Sequence, residues 1–394
     1  MTPPAEGPFE MTPITLGIEE ELMIVDPDSG DVIADPDPAI FDDCQRAAGE
    51  HRVVYELLRS QIETNSRICS SVAELRTSLE ETRGIVIEAA RRHGAAIIAS
   101  SLHPWARWQS QQVTPRRRYE QAEITFQQSV RQFFVGGMHI HAGFGDPDLR
   151  VQVMTALRSY LPIFLAISAS SPFQAGRLTG LKSYRQIVIA ALPRTGMPRA
   201  IRSWAEYEGI VERYRSIRAI EDGSEIRWDI RPSASYPTIE LRICDICPRI
   251  EDAVAIAALY ASVIRFLARR IAAGAPPPEL PQELIEEGRW LAQRFGTLAF
   301  LPQGDPPVLV DVDDCVKDLV DAVEEDARAL GCEGELERIG RIIREGSSAD
   351  RQEDVYRQAM LDGADEAQAL RAVLSSILEE TESGAAFGER ARSA

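Results

Sequence analysis

Acidic, imidazole and guanidinium side chains recur two residues apart at three places in this 394-residue sequence, and a fourth segment of similar composition carries a further glutamate. All four segments have the composition of β-strands, in which residues i and i+2 project from the same face. A sheet whose strands carry polar side chains on one face in this way lines a cleft. The residues concerned are Glu19 and Glu21, Glu63, His139 and His141, and Glu240 and Arg242.

The pattern predicts a site for divalent cations. Glu19 and Glu21 repel each other on an otherwise apolar strand, with Glu20 on the opposite face, and they need a cation or a proton to be tolerated. The excess of carboxylates favours hard cations, Mg²⁺ or Mn²⁺, shared with phosphate oxygens. A zinc site built on His139 and His141 with one carboxylate is the alternative.

Metal-bound ATP also accounts for the arginines near these motifs, because phosphoryl transfer needs carboxylate-held metal together with guanidinium groups. The sequence has neither a G-x-x-x-x-G-K-[ST] motif nor a G-x-G-x-x-G motif. A P-loop and a Rossmann site are therefore excluded. We expect the nucleotide to lie on the sheet itself.

The charge distribution indicates small anionic ligands. A net charge of −18 argues against nucleic acid as a partner. Residues 151–200 nevertheless contain six Lys or Arg and no Asp or Glu, which predicts that a phosphate or carboxylate docks there. The six are Arg158, Arg177, Lys182, Arg185, Arg194 and Arg199.

The sequence is typical of a cytoplasmic protein whose cysteines stay reduced. It shows no secretory signal pattern and no apolar stretch of membrane-spanning length, so no membrane partner is expected. Six scattered cysteines do not form a disulfide framework. Cys244 and Cys247 have the C-x-x-C spacing, but a single pair at the end of a strand-like run favours buried thiols.

The predicted elements favour an α+β fold with a mostly antiparallel sheet, because strands and helices do not alternate strictly. A capping box at Ser71 and Glu74 opens a helix that Gly94 ends, and 171–200 is predicted to be a long irregular loop. Predicted strands cover 15–25, 55–64, 95–101, 136–144, 224–233 and 236–246. Predicted helices cover 71–94, 119–134, 149–170, 251–273, 281–297 and about 314–382.

Over residues 15–385 the chain resembles the bacterial type 2 glutamate–cysteine ligases, also called ATP-dependent carboxylate-amine ligases. Eight motifs in order carry the resemblance: TLGIEEEL, SQIETNS, SLHPWARWQ, GGMHIHAGF, SASSPFQAGRLTGLKSYR, ALPRTGMP, WDIRPS and TIELRICD. The resemblance implies a glutamine synthetase-like fold, in which a curved antiparallel sheet backed by helices forms a metal-lined funnel. It also implies a division into tails at 1–14 and 386–394, a catalytic domain at 15–300 and a helical region at 301–385.

The resemblance also implies roles for particular residues. Arg242, Arg231 and Glu63 are the catalytic candidates, the two arginines by stabilising a tetrahedral oxyanion. The arginines themselves, rather than the resemblance, suggest the remaining roles, because guanidinium groups bind carboxylates and phosphates through paired hydrogen bonds: Arg242, Arg231 and Arg185 for nucleotide binding, and Arg177, Arg194 and Arg185 for substrate binding. The metal ligands are Glu19, Glu21, Glu63, His139, His141 and Glu240.

The resemblance thus implies a ligase that uses ATP and Mg²⁺ or Mn²⁺ to join glutamate and cysteine through γ-glutamyl phosphate. Four other functions stay open: a ligase for a different amine, a phosphagen-type kinase, a nucleotide-binding sensor and a zinc hydrolase. Lys182 stands where the family pattern has a small residue, which leaves the acceptor amine open. A homodimer is expected from the exposed edges of an open sheet.

Overall fold

The computed structural model describes residues 13–387 and contains one large sheet, three two-stranded pairs and fourteen α-helices in that range. The strands are β1 Thr15–Val25, β2 Arg52–Tyr55, β3 Gln61–Asn65, β4 Ala96–Ile98, β5 Met138–Gly143, β6 Phe173–Gln174, β7 Arg177–Leu178, β8 Thr195–Gly196, β9 Arg227–Trp228, β10 Ile230–Pro232, β11 Thr238–Leu241, β12 Phe300–Gln303 and β13 Val308–Asp311. The helices are α1 Ala39–Ala47, α2 Val72–Arg92, α3 Arg117–Phe126, α4 Gln128–Arg131, α5 Pro147–Leu157, α6 Leu161–Ser168, α7 Arg185–Ile189, α8 Trp204–Ser216, α9 Ile250–Ala272, α10 Gln282–Phe295, α11 Val312–Leu330, α12 Glu333–Glu345, α13 Ser348–Leu361 and α14 Glu366–Glu382.

The large sheet has the strand order β10-β11-β5-β1-β3-β2, with β4 also paired to β1, and every pair in it is antiparallel. Although β2 and β10 are opposite edges, Arg52 at the start of β2 donates from Nη1 to the Tyr236 hydroxyl in the β10–β11 loop over 3.2 Å. The sheet is therefore strongly curved. The predicted α+β class and antiparallel sheet are confirmed.

One face of β1 packs against helices, and the other bears the predicted polar residues. Leu16, Ile18, Leu22 and Ile24 alternate into the main hydrophobic core with the apolar side of α2 and α9. The fifth residue on that face is Glu20. Its carboxylate is fully buried and accepts two hydrogen bonds from the Arg83 guanidinium of α2, at 2.6 and 2.8 Å. This ion pair fixes which β1 residues face the helices, since a slip of one residue would reverse the two faces.

Helix boundaries follow local capping. The Ser71 hydroxyl accepts from the Glu74 backbone N–H at 3.2 Å, as predicted, but the Glu74 carboxylate bonds the N–H of Ser70 at 2.8 Å rather than that of Ser71. The motif is therefore a shifted capping box. α9 is buried along most of its length and forms the centre of the helical layer, in contact with α2, α5, α11 and α12.

Several predicted elements are interrupted. The strand predicted at 55–64 breaks after Tyr55 and resumes at Gln61. The helix predicted at 149–170 is α5 and α6 joined by a 3-10 turn, and that predicted at 119–134 breaks at Gln127, whose φ is 49°. The loop predicted at 171–200 contains α7 and three short strands, and the β12–β13 hairpin was not predicted.

The span Pro147–Ser168 is apolar and long enough to cross a membrane by length and composition, but 83% of its apolar window is buried inside the protein. It is the core helix pair α5–α6.

The predicted domain boundary after residue 300 falls inside β12, and the division itself stays a prediction. Most of the predicted tails lies outside the described residues. Their inner ends are packed, because Ile14 is buried and Ala386 donates its N–H to the Glu80 carbonyl at 2.9 Å.

Candidate active site

Strand register brings the predicted ligands together on the face of the sheet opposite the helices. Antiparallel partners share a face, and Glu19 lies opposite His139 while His141 lies opposite Glu240. Glu21 lies opposite Glu63. The four separated segments of sequence therefore form one continuous polar surface.

We call Glu19, His139, His141 and Glu240 the histidine cluster. Glu19 Oε2 lies 3.2 Å from His139 Nδ1, and Glu19 Oε1 lies 3.3 Å from His141 Nε2. One ligand atom each from Glu19, His141 and Glu240 lies within 4.8 Å of the others. This spacing suits a single cation bound by two carboxylates and an imidazole.

His141 is arranged as a ligand would be. Its Nδ1 lies 3.0 Å from Thr238 Oγ1, and its buried Nε2 has no hydrogen bond of good geometry. A metal-binding histidine commonly donates its other ring N–H in this way, which fixes the ring and leaves the second nitrogen free. The residues present therefore fit a divalent ion.

The electrostatics of the cluster keep its carboxylates ionised. Burial would raise the pKa of Glu19, but the contacts with His139 and His141 outweigh it and hold that pKa well below the usual range. Glu240 behaves likewise: burial opposes ionisation, but Arg242 and then Arg231 hold its pKa well below the ordinary value. Burial and the charge of Arg242 lower the pKa of His139 to about 4, so this imidazole is neutral near pH 7.

Two arginines hold Glu240 in place. Arg231 Nε donates to Glu240 Oε2 at 2.9 Å, and Arg242 Nη1 donates to Glu240 Oε1 and lies 3.4 Å from His139 Nδ1. Arg231 Nη1 also donates to the Ser224 and Ile226 carbonyls, at 2.5 and 2.7 Å. Arg231 is therefore held by Glu240 on one side and by main-chain carbonyls on the other, while Arg242 contacts Glu240 and His139 and its charge also lowers the pKa of Glu21.

A second group, the carboxyl trio of Glu21, Glu56 and Glu63, lies beside the histidine cluster. Burial, and then the charges of Glu19 and Glu56, raise the pKa of Glu63 to about 8. Burial, and then the charge of Glu56, raise the pKa of Glu21 well above its ordinary value. Glu21 is buried and Glu56 and Glu63 are half-buried, and carboxyls whose charges act on one another need protons or cations to balance them. Among the described residues the ligand atoms that gather within 4.8 Å are those of Glu19, His141 and Glu240, so a further ion held by the trio stays a prediction.

The trio has its own supports. Glu21 Oε2 accepts from the Gly137 N–H at 2.7 Å, and Glu63 Oε1 accepts from Asn65 Nδ2 at 2.7 Å. Glu56 lies where the predicted strand 55–64 breaks, and sequence reasoning missed it. The strand-like pattern of residues 55–64 gives no sign that the chain turns between Tyr55 and Gln61, and so no sign that Glu56 belongs to the site.

The acid-free window 151–200 does not behave as predicted. Four of its six cations pair with carboxylates from outside the window, so the window carries little free positive charge. Their partners are Glu279 for Arg158, Asp350 and Glu353 for Lys182, Asp245 for Arg185, and Glu206 for Arg199. Folding therefore supplies the acids for these four cations, and their charge is no evidence for a bound anion; that an anion docks at the remaining arginines, Arg177 and Arg194, stays a prediction.

The three predicted substrate arginines differ in place. Arg185 is buried beneath the site, and its Nη2 donates to the Arg242 carbonyl at 3.2 Å. Arg194 lies beside Arg227, which sequence reasoning missed. Arg177 is exposed on β7, and among the described residues it forms no ion pair or hydrogen bond with the histidine cluster or the carboxyl trio. Its role stays a prediction.

Lys182 and the cysteines have structural surroundings. Lys182 Nζ lies 2.8 Å from Asp350 and 2.9 Å from Glu353 of α13, so it ties the loop before α7 to the C-terminal helices. Cys244 and Cys247 are free, buried thiols, and neither belongs to the histidine cluster.

Residues 15–371 match the sequence model of a family described as Glutamate-cysteine ligase family 2. A protein of Rhodospirillum rubrum, provisionally named glutamate–cysteine ligase 2, is 39% identical over 370 residues, covering 93% of this chain and 95% of that protein. A protein of Jannaschia sp. with the same provisional name is 38% identical over 366 residues, covering 93% and 96%.

Solved structures share the fold. The bifunctional glutathione synthetase of Pasteurella multocida superposes with a TM-score of 0.68 at 15% identity, over 94% of this chain and 53% of that chain. The glutamate–cysteine ligase of Francisella tularensis, solved in complex with AMP, superposes with a TM-score of 0.67 at 12% identity, over 94% and 89%. The expected glutamine synthetase-like fold is confirmed.

Proposed function

Because this chain belongs to glutamate–cysteine ligase family 2, a family of ATP-dependent ligases, we propose that it joins glutamate to cysteine through an acyl phosphate. The single observation that carries the proposal is the histidine cluster with Arg231 and Arg242 on one face of a curved sheet. It combines a cation site with guanidinium groups, the combination that phosphoryl transfer requires.

The proposed residue roles follow from the two groups of carboxylates. Glu19, His141 and Glu240 would hold one divalent ion, and Glu21, Glu56 and Glu63 would hold another. His139 stays neutral and orients Glu19. Bound Mg²⁺ or Mn²⁺ would offset the negative charge of the nucleotide's terminal phosphates.

The proposed reaction has two steps. A γ-carboxylate oxygen of glutamate bonds the terminal phosphorus of ATP, and the bond from that phosphorus to the bridging oxygen breaks, which releases ADP. The cysteine nitrogen then bonds the acyl carbon, the bond from that carbon to the phosphate oxygen breaks, and the amine loses a proton. Arg242 and Arg231 are assigned to stabilise the oxyanion between these events.

Product analysis tests the proposal. Glutamate labelled with ¹⁸O in its γ-carboxylate should transfer one label to inorganic phosphate, because that oxygen bridges carbon and phosphorus in the acyl phosphate. Inorganic phosphate without label, formed together with the amide, would refute the intermediate. A phosphorylated small molecule released without amide would instead indicate a kinase.

A screen of carboxylates against amines, read as ADP release, identifies the substrates. Glu240→Gln should lower ADP release at least about 100-fold, because a ligand of the proposed ion and the partner of two arginines is lost. The control Glu212→Gln changes an exposed glutamate of α8 and should leave the rate unchanged. Activity with another amine in place of cysteine would support the same ligase chemistry and identify that amine as the acceptor.

The compartment and assembly are also proposals. We place the protein in the cytoplasm, where ATP is available, in keeping with its six free and buried thiols. A homodimer stays a prediction.

A further inference from the structure

Two arginines on the rim of the site are held side by side without an acidic partner. The parallel pair β8–β9 places Thr195 opposite Arg227, and the Arg227 N–H donates to the Arg194 carbonyl at 2.8 Å. Arg194 Nε and Arg227 Nη1 both donate to the Glu225 carbonyl, at 3.3 and 3.2 Å. Two guanidinium groups thus share one main-chain oxygen.

Their remaining contacts do not balance the charge. Arg194 lies over the Tyr214 ring and Arg227 over the Phe126 ring, with 6.0 and 5.7 Å from guanidinium carbon to ring centroid. In the described part of the chain neither forms an ion pair. The Glu225 carboxylate accepts from the Glu221 N–H at 2.5 Å instead.

Both guanidinium groups lie in surroundings that are unfavourable for the stability of the fold. Burial, and then the charges of Arg194 and Arg242, lower the pKa of Arg227 to about 10. Arg194 Nη2 is buried with no hydrogen-bond partner, and the Arg194 backbone has a φ of 62°, which is strained for a residue with a side chain. A buried donor or charge without a partner opposes folding, so this arrangement calls for an anion from outside the chain.

The pair lies next to the site. The charges of Arg242 and Arg231, which hold Glu240, also act on Arg227. Phe126 is the last residue of α3, and near the start of that helix the Tyr119 hydroxyl lies 3.5 Å from Glu56 Oε2. The helix therefore runs from the carboxyl trio to the arginine pair, and an anion bound by the pair would lie in the same cleft as the two groups of carboxylates.

We propose that Arg194 and Arg227 form a binding site for an oxyanion of the substrates, either the carboxylate of the amino acid or a phosphate of the nucleotide. Planar guanidinium groups bind both oxyanions through paired hydrogen bonds. The identity of the ligand rests on the proposed ligase function. The unpaired charge of the two arginines does not depend on it.

The test measures binding rather than turnover, by calorimetric titration of the full chain with ADP and with L-glutamate separately, in the presence of Mg²⁺. Arg227→Gln should weaken one of the two affinities by about tenfold or more, since charge-assisted hydrogen bonds are lost. Weaker ADP binding identifies a phosphate, and weaker glutamate binding identifies a carboxylate. Arg227→Lys should retain part of the affinity, and Arg215→Gln, an exposed arginine of α8, should match the wild type.

The melting temperature without ligand separates binding from structure. Arg227→Gln should melt at the wild-type temperature or above it, because a half-buried charge beside other arginines is removed. Unchanged affinities for both ligands would overturn the proposal, and a lower melting temperature in that case would show a structural role. Wild-type protein that binds neither ligand would overturn it too. If binding behaves as expected but no amine supports ADP release, the ligase proposal fails while the oxyanion site stands.

Discussion

The ion pair between Glu20 and Arg83 offers the sharpest test of how the fold positions the site. Glu20 lies between Glu19 and Glu21 on β1 but faces the helices, and both partners are fully buried. Besides Glu20, Arg83 donates to the carbonyls of Cys247 and Pro248. Arg83→Met removes all these bonds and leaves a buried carboxylate without a partner.

The expected loss is about 3–5 kcal/mol, the range found when one partner of a buried ion pair is removed. An unfolding entropy of about 2.1 cal/mol/K per residue gives about 0.8 kcal/mol/K for the 394 residues. The melting temperature should therefore fall by about 4–6 °C. Scanning calorimetry measures this shift, and urea unfolding followed by circular dichroism measures the free energy.

The double variant Glu20→Leu with Arg83→Met should be more stable than Arg83→Met alone, because apolar side chains of similar size replace a buried pair with less penalty than one unpaired charge. The control Arg328→Met breaks an exposed pair with Glu324 and should change the stability by about 0.5 kcal/mol or less. If Arg83→Met changes the stability no more than this control does, the reasoning about the buried pair is wrong.

Three further predictions concern the surroundings of the site. Lys182→Met should lower the melting temperature and leave the Michaelis constant of the amine unchanged, because Lys182 pairs with Asp350 and Glu353. An unchanged melting temperature with a raised Michaelis constant would instead place Lys182 in the acceptor site. On average, less than one thiol per native molecule should react with Ellman's reagent near pH 8, because all six are buried and burial raises the pKa of Cys44 and of Cys244 to about 12. After denaturation all six thiols should react. Chelation of divalent ions should abolish ADP release, Mg²⁺ or Mn²⁺ should restore it, and tightly bound stoichiometric zinc in the purified protein would contradict the proposed ion.

The period-two pattern was enough to predict which side chains meet. Strand geometry alone places Glu19 and Glu21 on one face, and the register then sets them opposite His139 and Glu63. The polar face of the sheet could therefore be predicted without a structure. Glu56 could not, because its position depends on a turn after Tyr55 that the strand-like composition of residues 55–64 conceals.

The arginines show that the net charge of a sequence window does not predict which charges remain unpaired in the folded protein. The carboxylates that pair with Lys182 lie about 170 residues away on α13, so only the folded chain reveals that this charge is already balanced. Arg227 gave no signal because it precedes the recognised WDIRPS motif, and its significance lies in having no acidic partner. A missing partner is a property of the fold rather than of the sequence.

The central claim is that Glu19, His141 and Glu240 bind a divalent ion shared with the nucleotide's phosphates. Anomalous diffraction from crystals grown with Mn²⁺ and ADP tests it most directly. We expect a manganese peak about 2.0–2.3 Å from an oxygen of Glu19, an oxygen of Glu240 and His141 Nε2, with a phosphate oxygen completing the coordination. Manganese bound only elsewhere, or ADP bound with no ion at these three residues, would contradict the account.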